Sequence, residues 1–280
     1  MGPGLGKAPK RKGTDSGMNR NLLRSTLLEA LERAGRVLRR SLSRAENRRY
    51  TYKSGALNLV TAADRAAERA IIGVIRKRFP QHAILAEETG GNRGRAPYKW
   101  VIDPLDGTTN FAHGFPMACV SIGFEEAGQV MLGGVFEPFH GELFTAERGH
   151  GAYLNGRRIR VSATRELSRS LLATGFPYDR RRRADYYLSI YKAFMGRSHG
   201  VRRCGAAAID LAYVACGRFD GFWEMKLSPW DVSAGALLVE EAGGIISNFD
   251  GSSYDRYGAE TLASNGRIHP EMIKVLKGVL

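Results

Sequence analysis

The strongest constraint in the sequence is a short apolar and aromatic stretch that runs directly into two carboxylates. Residues 98–102 have the length and composition of a buried strand, and Asp103 and Asp106 follow it, three residues apart. Pro104 fixes its own φ and biases the preceding residue towards an extended conformation. We therefore expect the acidic pair to leave the strand on a stiff bend. Gly107 then lets the backbone come close to whatever the carboxylates hold.

Three capping-type residues continue this stretch: Thr108, Thr109 and Asn110. A helix or turn that begins here would point free N–H groups at an anion. Carboxylates that bind a cation, next to N–H groups that bind an anion, indicate a metal-bridged phosphate site. The alternative is an ordinary surface turn, because Asp, Pro and Gly are common turn formers.

Length and composition are those of a globular protein. A chain of 280 residues can form one large α/β domain or two intimate halves. Its hydrophobic fraction of 43% and charged fraction of 25% are ordinary. No stretch approaches the roughly 20 apolar residues that span a bilayer, so we expect no membrane partner. Residues 1–18 are rich in Gly, Pro and Lys without an apolar core, which predicts a disordered basic tail rather than a secretory signal.

The three cysteines, Cys119, Cys204 and Cys216, show no C-x-x-C spacing. We expect reduced, buried thiols and a cytoplasmic protein.

The positive charge is unevenly placed along the chain. The net charge is +14, and residues 1–50 carry 13 Lys and Arg against 4 Asp and Glu. Four consecutive arginines at 180–183 lie in a second basic segment. Both segments are consistent with solvated surface, or with attraction to a polyanion. Because no nucleic-acid-binding motif is recognisable, a nucleic-acid partner is a secondary hypothesis.

Helical periodicity predicts two helices at the start of the chain. Residues 19–48 favour a long helix with arginines on its outer face. The apolar residues at spacings of three and four are Leu23, Leu27, Leu31, Ala34, Leu38 and Leu42. A polar link follows at 50–59, and Thr61 is the expected N-cap of a second helix that ends at Phe79 and Pro80. Asp64 lies in the first turn of that helix, where an acid often only complements the helix dipole.

Strand and turn signals predict the remaining elements. Strands are expected at 82–86, 118–124, 129–136, 142–146, 170–174, 219–224, 244–247 and 260–263. Asn155 and Gly156 favour a tight hairpin turn. Helices are expected at 184–194, from about 206 to 216, at 232–242 with a glycine C-cap, and from Pro270 onward.

The string 100–111 resembles the first signature of the inositol monophosphatase family. Two further pieces occur in the family's order: Glu87 and Glu88 after a strand, and Trp-Asp-Val-Ser-Ala-Gly at 230–235. The resemblance extends from about residue 20 to the C-terminus. It implies an α/β (α+β) fold, a layered α-β-α-β-α sandwich with largely antiparallel sheets. It also implies one catalytic domain at 19–280, with halves of about 19–175 and 176–280, and a homodimer.

The resemblance implies a Mg²⁺ site built from carboxylates and one carbonyl. Glu87, Asp103 and the Leu105 carbonyl would hold one ion, Asp103, Asp106 and Asp231 a second, and a third, weaker ion would share Glu87. Mg²⁺ prefers oxygen ligands, so this set suits it. His82 and His113 are conceivable ligands, but we expect oxygen-only ligation and treat every histidine as non-catalytic. Asp231 can also be an ordinary helix N-cap.

The resemblance also implies catalytic and substrate-binding roles. Thr108, with Asp64 behind it, would orient the attacking water, and the N–H groups of Gly107 and Thr108 would bind phosphate oxygens. Lys53 would lie on a loop that closes on the metal site, although it can also be a plain surface lysine. The residues expected beside the substrate alcohol are Gly205, Ala207, Glu224 and Asp231.

The predicted function is Mg²⁺-dependent hydrolysis of a phosphate monoester, foremost a monophosphate of myo-inositol, by direct attack of an activated water. Other enzymes of the superfamily are alternatives: fructose-1,6-bisphosphatase, histidinol-phosphatase and nucleotide 3′-phosphatase. A third hypothesis is RNA or transcription-machinery binding through the basic segments.

Overall fold

Helices and sheets alternate in five layers in the computed structural model, which describes residues 19–42, 49–54 and 58–280. Two helices cover one face of an eight-stranded sheet, and two more lie between that sheet and a five-stranded one. Another two cover the far face of the second sheet. The predicted α-β-α-β-α sandwich is confirmed. The predicted tail at 1–18 lies outside the described residues, and the division into halves near residue 175 stays a prediction.

The outer helix layer consists of α1 (Arg20–Leu42) and α2 (Ala62–Arg78). The apolar stripe of α1 is buried against α2 and the first sheet, as its periodicity predicts. Residues 43–48, which we assigned to the same helix, lie outside the described residues. Helix α2 begins as predicted: Thr61 Oγ1 accepts from the Asp64 N–H, and Asp64 Oδ2 accepts from the Thr61 N–H at 2.7 Å. This capping box fixes the Asp64 carboxylate at the helix start.

A small hairpin and the eight-stranded sheet make up the first half of the chain. The hairpin, β1 (Tyr50–Ser54) and β2 (Asn58–Thr61), replaces the polar link that we expected. The sheet strands are β3 (Ala83–Ala86), β4 (Gly90–Gly91), β5 (Tyr98–Asp106), β6 (Cys119–Glu126), β7 (Gln129–Glu137), β8 (Glu142–Glu147), β9 (Gly151–Leu154) and β10 (Arg157–Arg158). Their order is β10-β9-β8-β7-β6-β5-β3-β4, and only β3 and β5 are parallel neighbours.

Strand β5 does not end before its carboxylates. Asp103 pairs with Ser121 and Asp106 with Cys119, so the acidic pair lies within the strand rather than beyond it. The prediction of a bend that ends the strand was wrong. The register shifts between the two acids, and Pro104 lies in that irregularity, where a missing N–H is tolerated. The proline therefore distorts the pairing without ending it.

The second sheet contains five strands, β11 (Leu171–Thr174), β12 (Gly200–Arg202), β13 (Gly221–Met225), β14 (Ile245–Ser247) and β15 (Glu260–Ser264). Their order is β12-β11-β13-β15-β14. Strand β11 runs parallel to both of its neighbours, whereas the other pairs are antiparallel. The short strand β12 was not predicted.

The other long helices are α4 (Ala184–Met195), α5 (Ala207–Ala215), α6 (Pro229–Glu241) and α7 (His269–Lys277). Helices α4 and α7 cover the outer face of the second sheet. Helices α5 and α6 lie between the two sheets and are buried on nearly every side. Their apolar residues therefore surround the helix instead of forming one stripe.

Two adjacent glycines in β7 set the spacing of three layers. A Cβ on Gly133 would lie 3.0 Å from Ala234 Cα in α6, and a Cβ on Gly134 would lie 2.4 Å from Leu31 Cδ1 in α1. Because neighbouring residues of a strand face opposite sides of a sheet, the two glycines let one helix approach from each face. The close approach of α6 brings its N-terminus to the end of β5.

A buried ion network joins the loop before β15 to the first sheet. Glu125 accepts from Arg256 Nη1 at 2.9 Å and lies 2.9 Å from Lys99 Nζ through its other oxygen. Lys99 also donates to the Tyr257 hydroxyl at 2.7 Å. The side chains of Lys99 and Glu125 are both buried, so each charge depends on the other for compensation.

Two smaller predictions can be compared with the described residues. The hairpin turn between β9 and β10 has positive φ at both Asn155 (49°) and Gly156 (76°), as a type I′ turn requires. All three cysteines are free thiols, as expected, but only Cys119 is buried, and the prediction of buried thiols was wrong for Cys204 and Cys216. Within the part of the chain that the structure describes, no helix combines the length and apolarity needed to cross a bilayer.

His82 lies in an aromatic cluster rather than in a ligand site. Its Nδ1 accepts a hydrogen bond from Trp100 Nε1 at 3.1 Å, and its ring stacks on Phe79 at 4.5 Å and Tyr98 at 5.0 Å. Burial, and then the charge of Arg76, lower the pKa of His82. Folding therefore favours the neutral ring.

We expect the free energy of unfolding to fall as the pH drops below about 6.5, because the unfolded His82 takes up a proton that the folded ring resists. The His82→Gln variant should show a shallower decline in chemical denaturation between pH 8 and 5. The exposed His199 provides the control: His199→Gln should keep the wild-type slope. The same slope in wild type and His82→Gln would contradict this account.

Candidate active site

Two carboxylates from β5 form the centre of the candidate site. Asp103 is 1% exposed and Asp106 is 9% exposed. Asp103 Oδ1 accepts from the N–H of Leu105 at 2.9 Å, and Asp106 Oδ2 accepts from the N–H of Ala208 at 2.7 Å. Asp106 therefore ties the first turn of α5 to the end of β5.

Glu87 reaches the same place from the neighbouring strand. Strands β3 and β5 run parallel, with Ala86 opposite Ile102, and the Glu87 N–H donates to the Ile102 carbonyl at 3.1 Å. The carboxyl ends of two parallel strands thus lie side by side. The carboxyl groups of Glu87 and Asp103 come within hydrogen-bonding reach of each other.

Asp231 comes from the N-terminus of α6. The helix begins at Pro229 rather than at Val232, and its N-cap is Ser228 rather than Asp231. Asp231 Oδ2 accepts from the Ser228 N–H at 2.7 Å, so the aspartate completes a capping box as the third helical residue. Ser121 Oγ donates to the Trp230 carbonyl at 3.2 Å, which ties this helix end to β6. The Asp231 side chain also lies within hydrogen-bonding reach of Asp103.

The four carboxyls resist ionisation together. Burial is the largest cause of the raised pKa at each of them. Repulsion by Glu87 and Asp231 raises the pKa values of Asp103 and Asp106 further. The pKa of Asp231 rises to about 6, opposed by its hydrogen bond from the Ser228 N–H. Such mutual repulsion is the electrostatic signature of a site that needs a cation.

Lys53 lies against this cluster. Its ammonium donates to Glu87 Oε1 at 2.8 Å and forms an ion pair with Glu88. Burial opposes the charge of Lys53, but the carboxylates of Glu87 and Glu88 outweigh it and raise the lysine pKa. Lys53 thus lies in strand β1 of the hairpin rather than on the expected loop. Its positive charge is next to Glu87, as the prediction of a lysine beside the metal site requires.

Glu68, which was not predicted as a site residue, holds the turn after β3. Glu68 is 2% exposed, and its carboxylate accepts from the N–H groups of Glu88 at 2.9 Å and Thr89 at 3.0 Å. It lies on α2 four residues after Asp64. An acidic residue on the buried face of an amphipathic helix is the sequence feature from which a role of Glu68 could have been predicted.

The oxygen donors are of the kind that bind a hard divalent cation, although they are not arranged as a complete coordination sphere. Among the described residues, no three His, Cys, Asp or Glu side chains are placed as a group that could hold a metal ion. Carboxylate oxygens with a nearby backbone carbonyl are the donors that Mg²⁺ prefers.

Asp64 and Thr108 meet beside the carboxylates, as predicted. Thr108 Oγ1 lies 3.1 Å from Asp64 Oδ1 and 3.0 Å from the Leu105 carbonyl oxygen. The other Asp64 oxygen accepts from Thr61, through both its N–H and its hydroxyl. Burial raises the pKa of Asp64 to about 6, and the hydrogen bonds from Thr61 oppose that shift. Above a pH of about 6, the ionised Asp64 carboxylate can accept a hydrogen bond from the Thr108 hydroxyl.

Gly107 is required by the backbone between β5 and the short helix α3 (Thr108–Ala112). Its φ is 89°, and a Cβ there would lie 2.8 Å from the Met117 carbonyl oxygen. As N-cap, Gly107 offers no side chain to the first N–H groups of α3. These groups stay available to an external acceptor.

The start of α5 is held against the signature stretch. Asn110 Nδ2 donates to the carbonyls of Met117 and Cys204, each at 2.8 Å. Gly205 follows with a φ of 84°, and Ala207 begins the helix. The two small residues predicted beside the substrate therefore lie next to the carboxylate site.

Glu224 lies at the end of β13, in contact with the backbone of Gly175. A Cβ on Gly175 would lie 2.2 Å from the Glu224 carboxylate oxygens. Burial, followed by the charges of Asp210 and Asp231, raises the pKa of Glu224. Asp210 was missed by the sequence analysis. It is buried in α5, one of its oxygens has no hydrogen-bond partner among the described residues, and burial raises its pKa to about 8.

Comparison with known proteins places this arrangement in a family. The family model described as inositol monophosphatase family matches residues 20–279. An inositol-1-monophosphatase of Synechocystis sp. is 50% identical over 226 residues, which cover 80% of this chain and 78% of that protein. A protein named Nus factor SuhB, of Pseudomonas aeruginosa, is 49% identical over 230 residues, which cover 80% and 84%.

Solved structures agree with the sequence comparison. The inositol monophosphatase of Anabaena (Nostoc) sp. superposes with a TM-score of 0.85 at 45% identity, covering 94% of this chain and 98% of that one. The match spans both sheets and every helix layer of the fold. This chain belongs to the inositol monophosphatase family and is a phosphatase.

Proposed function

We propose that this phosphatase uses Mg²⁺, held at the carboxylate cluster, to hydrolyse a monophosphate of myo-inositol. The observation that carries the proposal is the convergence of Glu87, Asp103, Asp106 and Asp231 from two parallel strands and a helix end. Their raised pKa values indicate that the protein, through Lys53 beside Glu87, compensates only part of this negative charge.

The proposed ligands are the ones expected from the family resemblance. Glu87, Asp103 and the Leu105 carbonyl would hold one ion, and Asp106 and Asp231 would join Asp103 at a second. When bound, Mg²⁺ supplies charge for the phosphoryl oxygens and the leaving oxygen and lowers the pKa of a water. Lys53 would leave or share Glu87 when the cation binds, because both compete for the same carboxylate.

Thr108 and Asp64 would position the attacking water. Asp64 Oδ1 lies 3.1 Å from Thr108 Oγ1 and accepts its hydrogen, so the threonine lone pairs are free to accept a hydrogen bond from water. The N–H groups at the start of α3 would donate hydrogen bonds to phosphate oxygens. No nucleophilic side chain is required for this attack.

The second half of the chain would bind the alcohol. Glu224 would accept hydrogen bonds from hydroxyl groups of the ring, and Gly205 and Ala207 would leave room for it. A buried carboxylate that loses water needs such donors. The homodimer implied by the family resemblance stays a prediction.

Removal of the metal tests the proposal directly. Hydrolysis of myo-inositol 1-phosphate should stop in chelator and return with Mg²⁺, which should also raise the melting temperature by relieving the carboxylate repulsion. Asp103→Asn should lower kcat by more than about 100-fold, since even outer-shell partners of a metal contribute about 10- to 100-fold. Without metal, this variant should melt no lower than wild type.

The exposed Asp250 provides a matched control for the charge change. Asp250→Asn should keep both the turnover and the Mg²⁺-induced rise in melting temperature. Full turnover in chelator, or a wild-type response to Mg²⁺ in Asp103→Asn, would remove the metal from the proposed site.

We expect the hydroxyl of Thr108 to increase kcat. Thr108→Ala should lower kcat by about 100-fold with a small change in KM, because positioned proton transfer contributes about 10²–10⁴-fold. Thr108→Ser keeps a hydroxyl within reach of Asp64 and should recover most of the loss. Steady-state kinetics of the two variants decide this; equal activity of Ala and Ser variants would exclude the role.

A second candidate function is RNA binding. Relatives named Nus factor SuhB are 49% and 45% identical to this chain, and Arg181 and Arg182 are exposed. Arg183 is also exposed and packs over the Tyr186 ring at 4.3 Å, and Arg181 and Arg182 beside it would be basic groups for phosphates.

Salt dependence of binding tests the RNA hypothesis. Affinity for single-stranded RNA should fall steeply with salt, and replacing Arg181 and Arg182 by Gln should reduce the slope of log affinity against log salt by about 1.4. Deletion of residues 1–18 should reduce it further. Affinity that is independent of salt, or unchanged in both variants, would reject this function.

A further inference from the structure

The side chain of Asn110 joins two parts of the candidate site that are distant in sequence. Asn110 lies in the short helix α3, shortly after Gly107 and Thr108. Its Nδ2 donates to the Met117 carbonyl and to the Cys204 carbonyl, each at 2.8 Å. An amide nitrogen has two N–H groups, so one is used within the first half of the chain and the other reaches across to the turn before α5.

The turn that accepts this hydrogen bond is not held by backbone pairing. In the part of the chain that the structure describes, no backbone–backbone hydrogen bond involves residues 203–205. Gly205 has a φ of 84°, and a Cβ there would lie 3.2 Å from Asn110 Nδ2. The turn therefore packs on the Asn110 amide, and Asn110 supplies the hydrogen bond that holds its backbone.

Helix α3, in contrast, is held without the Asn110 side chain. The Phe111 N–H donates to the Gly107 carbonyl at 3.0 Å, and the Phe115 N–H donates to the Asn110 carbonyl at 2.8 Å. The Phe111 side chain is fully buried in the core beside α1 and α2. Loss of the Asn110 amide should therefore displace the turn at 203–205 more than it displaces α3.

A second hydrogen bond crosses the same gap, but its acceptor is a proposed metal ligand. The Ala208 N–H donates to Asp106 Oδ2 at 2.7 Å. Between segments 106–118 and 203–210, all of which the structure describes, this bond and those of the Asn110 amide are the only hydrogen bonds. Asn110 therefore provides the one connection between the two segments that does not use a metal ligand.

The two segments have different proposed tasks. The N–H groups at the start of α3 would bind the phosphate, whereas Gly205 and Ala207 would lie beside the alcohol. Asn110 spans the distance between these two sets of groups. A shift of the turn before α5 would disturb the contacts to the alcohol and leave the contacts to the phosphate in place.

We infer that Asn110 is a positioning residue for the alcohol part of the substrate. It fixes the start of α5 relative to the N–H groups of α3, and so favours phosphates of polyols over phosphates without hydroxyl groups. The inference rests on the proposed function, because it requires the phosphate to bind at α3 and the alcohol at α5. It assigns to Asn110 an effect on KM of hydroxylated substrates rather than a part in the cleavage.

Substrates with and without hydroxyl groups test the inference. Asn110→Ala should lower kcat/KM of myo-inositol 1-phosphate relative to that of 4-nitrophenyl phosphate by about tenfold, mainly through KM, as expected for about one lost hydrogen bond. Asn110→Asp keeps the shape without the two N–H donors and should lower this ratio at least as much. Melting curves of both variants check that the fold is kept.

The half-buried Asn248 provides a matched control. Its Nδ2 also donates to a carbonyl, that of Ser253 at 3.0 Å, in the loop between β14 and β15. Asn248→Ala should keep the wild-type ratio. Equal losses on both substrates in Asn110→Ala, a wild-type ratio in either Asn110 variant, or an equal effect of Asn248→Ala would overturn the inference. Turnover of myo-inositol 1-phosphate by the wild type would still support the proposed function.

Glycerol 2-phosphate separates the inference from the proposed function. If the wild type cleaves this polyol phosphate but not myo-inositol 1-phosphate, the proposed function fails, and a ratio of glycerol 2-phosphate to 4-nitrophenyl phosphate that falls in Asn110→Ala supports the inference. If the wild type cleaves neither polyol phosphate, both are rejected.

Discussion

Repulsion among buried carboxylates is the constraint on which the rest of this structure depends. Glu87, Asp103, Asp106 and Asp231 are far apart in the chain, and hydrogen bonds from backbone N–H groups hold the carboxylates of Asp103, Asp106 and Asp231. Packing elsewhere must offset their unfavourable burial. In return, the carboxylates are held in place before the substrate binds. A metal-assisted reaction needs such preorganised charge.

The layers of the fold explain how the charges are brought together. Parallel pairing of β3 with β5 places two strand ends side by side, and the close approach of α6, which Gly133 allows, brings a helix end to meet them. The capping boxes of α2 and α6 then hold Asp64 and Asp231 in fixed orientations. The residues that cap these two helices therefore also contribute to the site, because the capping carboxylates of Asp64 and Asp231 face it.

The sequence predicted the local features of this site better than the distant ones. Thr61 and Asp64 could be predicted because a capping box is a four-residue pattern, and Asp103 because it follows an apolar strand. The continuation of β5 past Pro104 could not, because it depends on pairing with β6. The contacts of Glu68 could not be predicted for the same reason, because only the fold brings the turn after β3 near α2.

The two halves of the chain divide the chemistry between them. The first half supplies three of the four carboxylates, and the Asp64–Thr108 pair that would direct water at phosphorus. The second half supplies the fourth carboxylate and also Gly205 and Glu224, which would lie beside the leaving alcohol. Because the buried network of Lys99 and Glu125 ties the loop before β15 to the first sheet, the two parts keep a fixed relation across the cleft. Substitutions at Gly205 or Glu224 are therefore expected to change which alcohol is accepted, whereas a substitution at Asp231 would alter the cleavage of its phosphate.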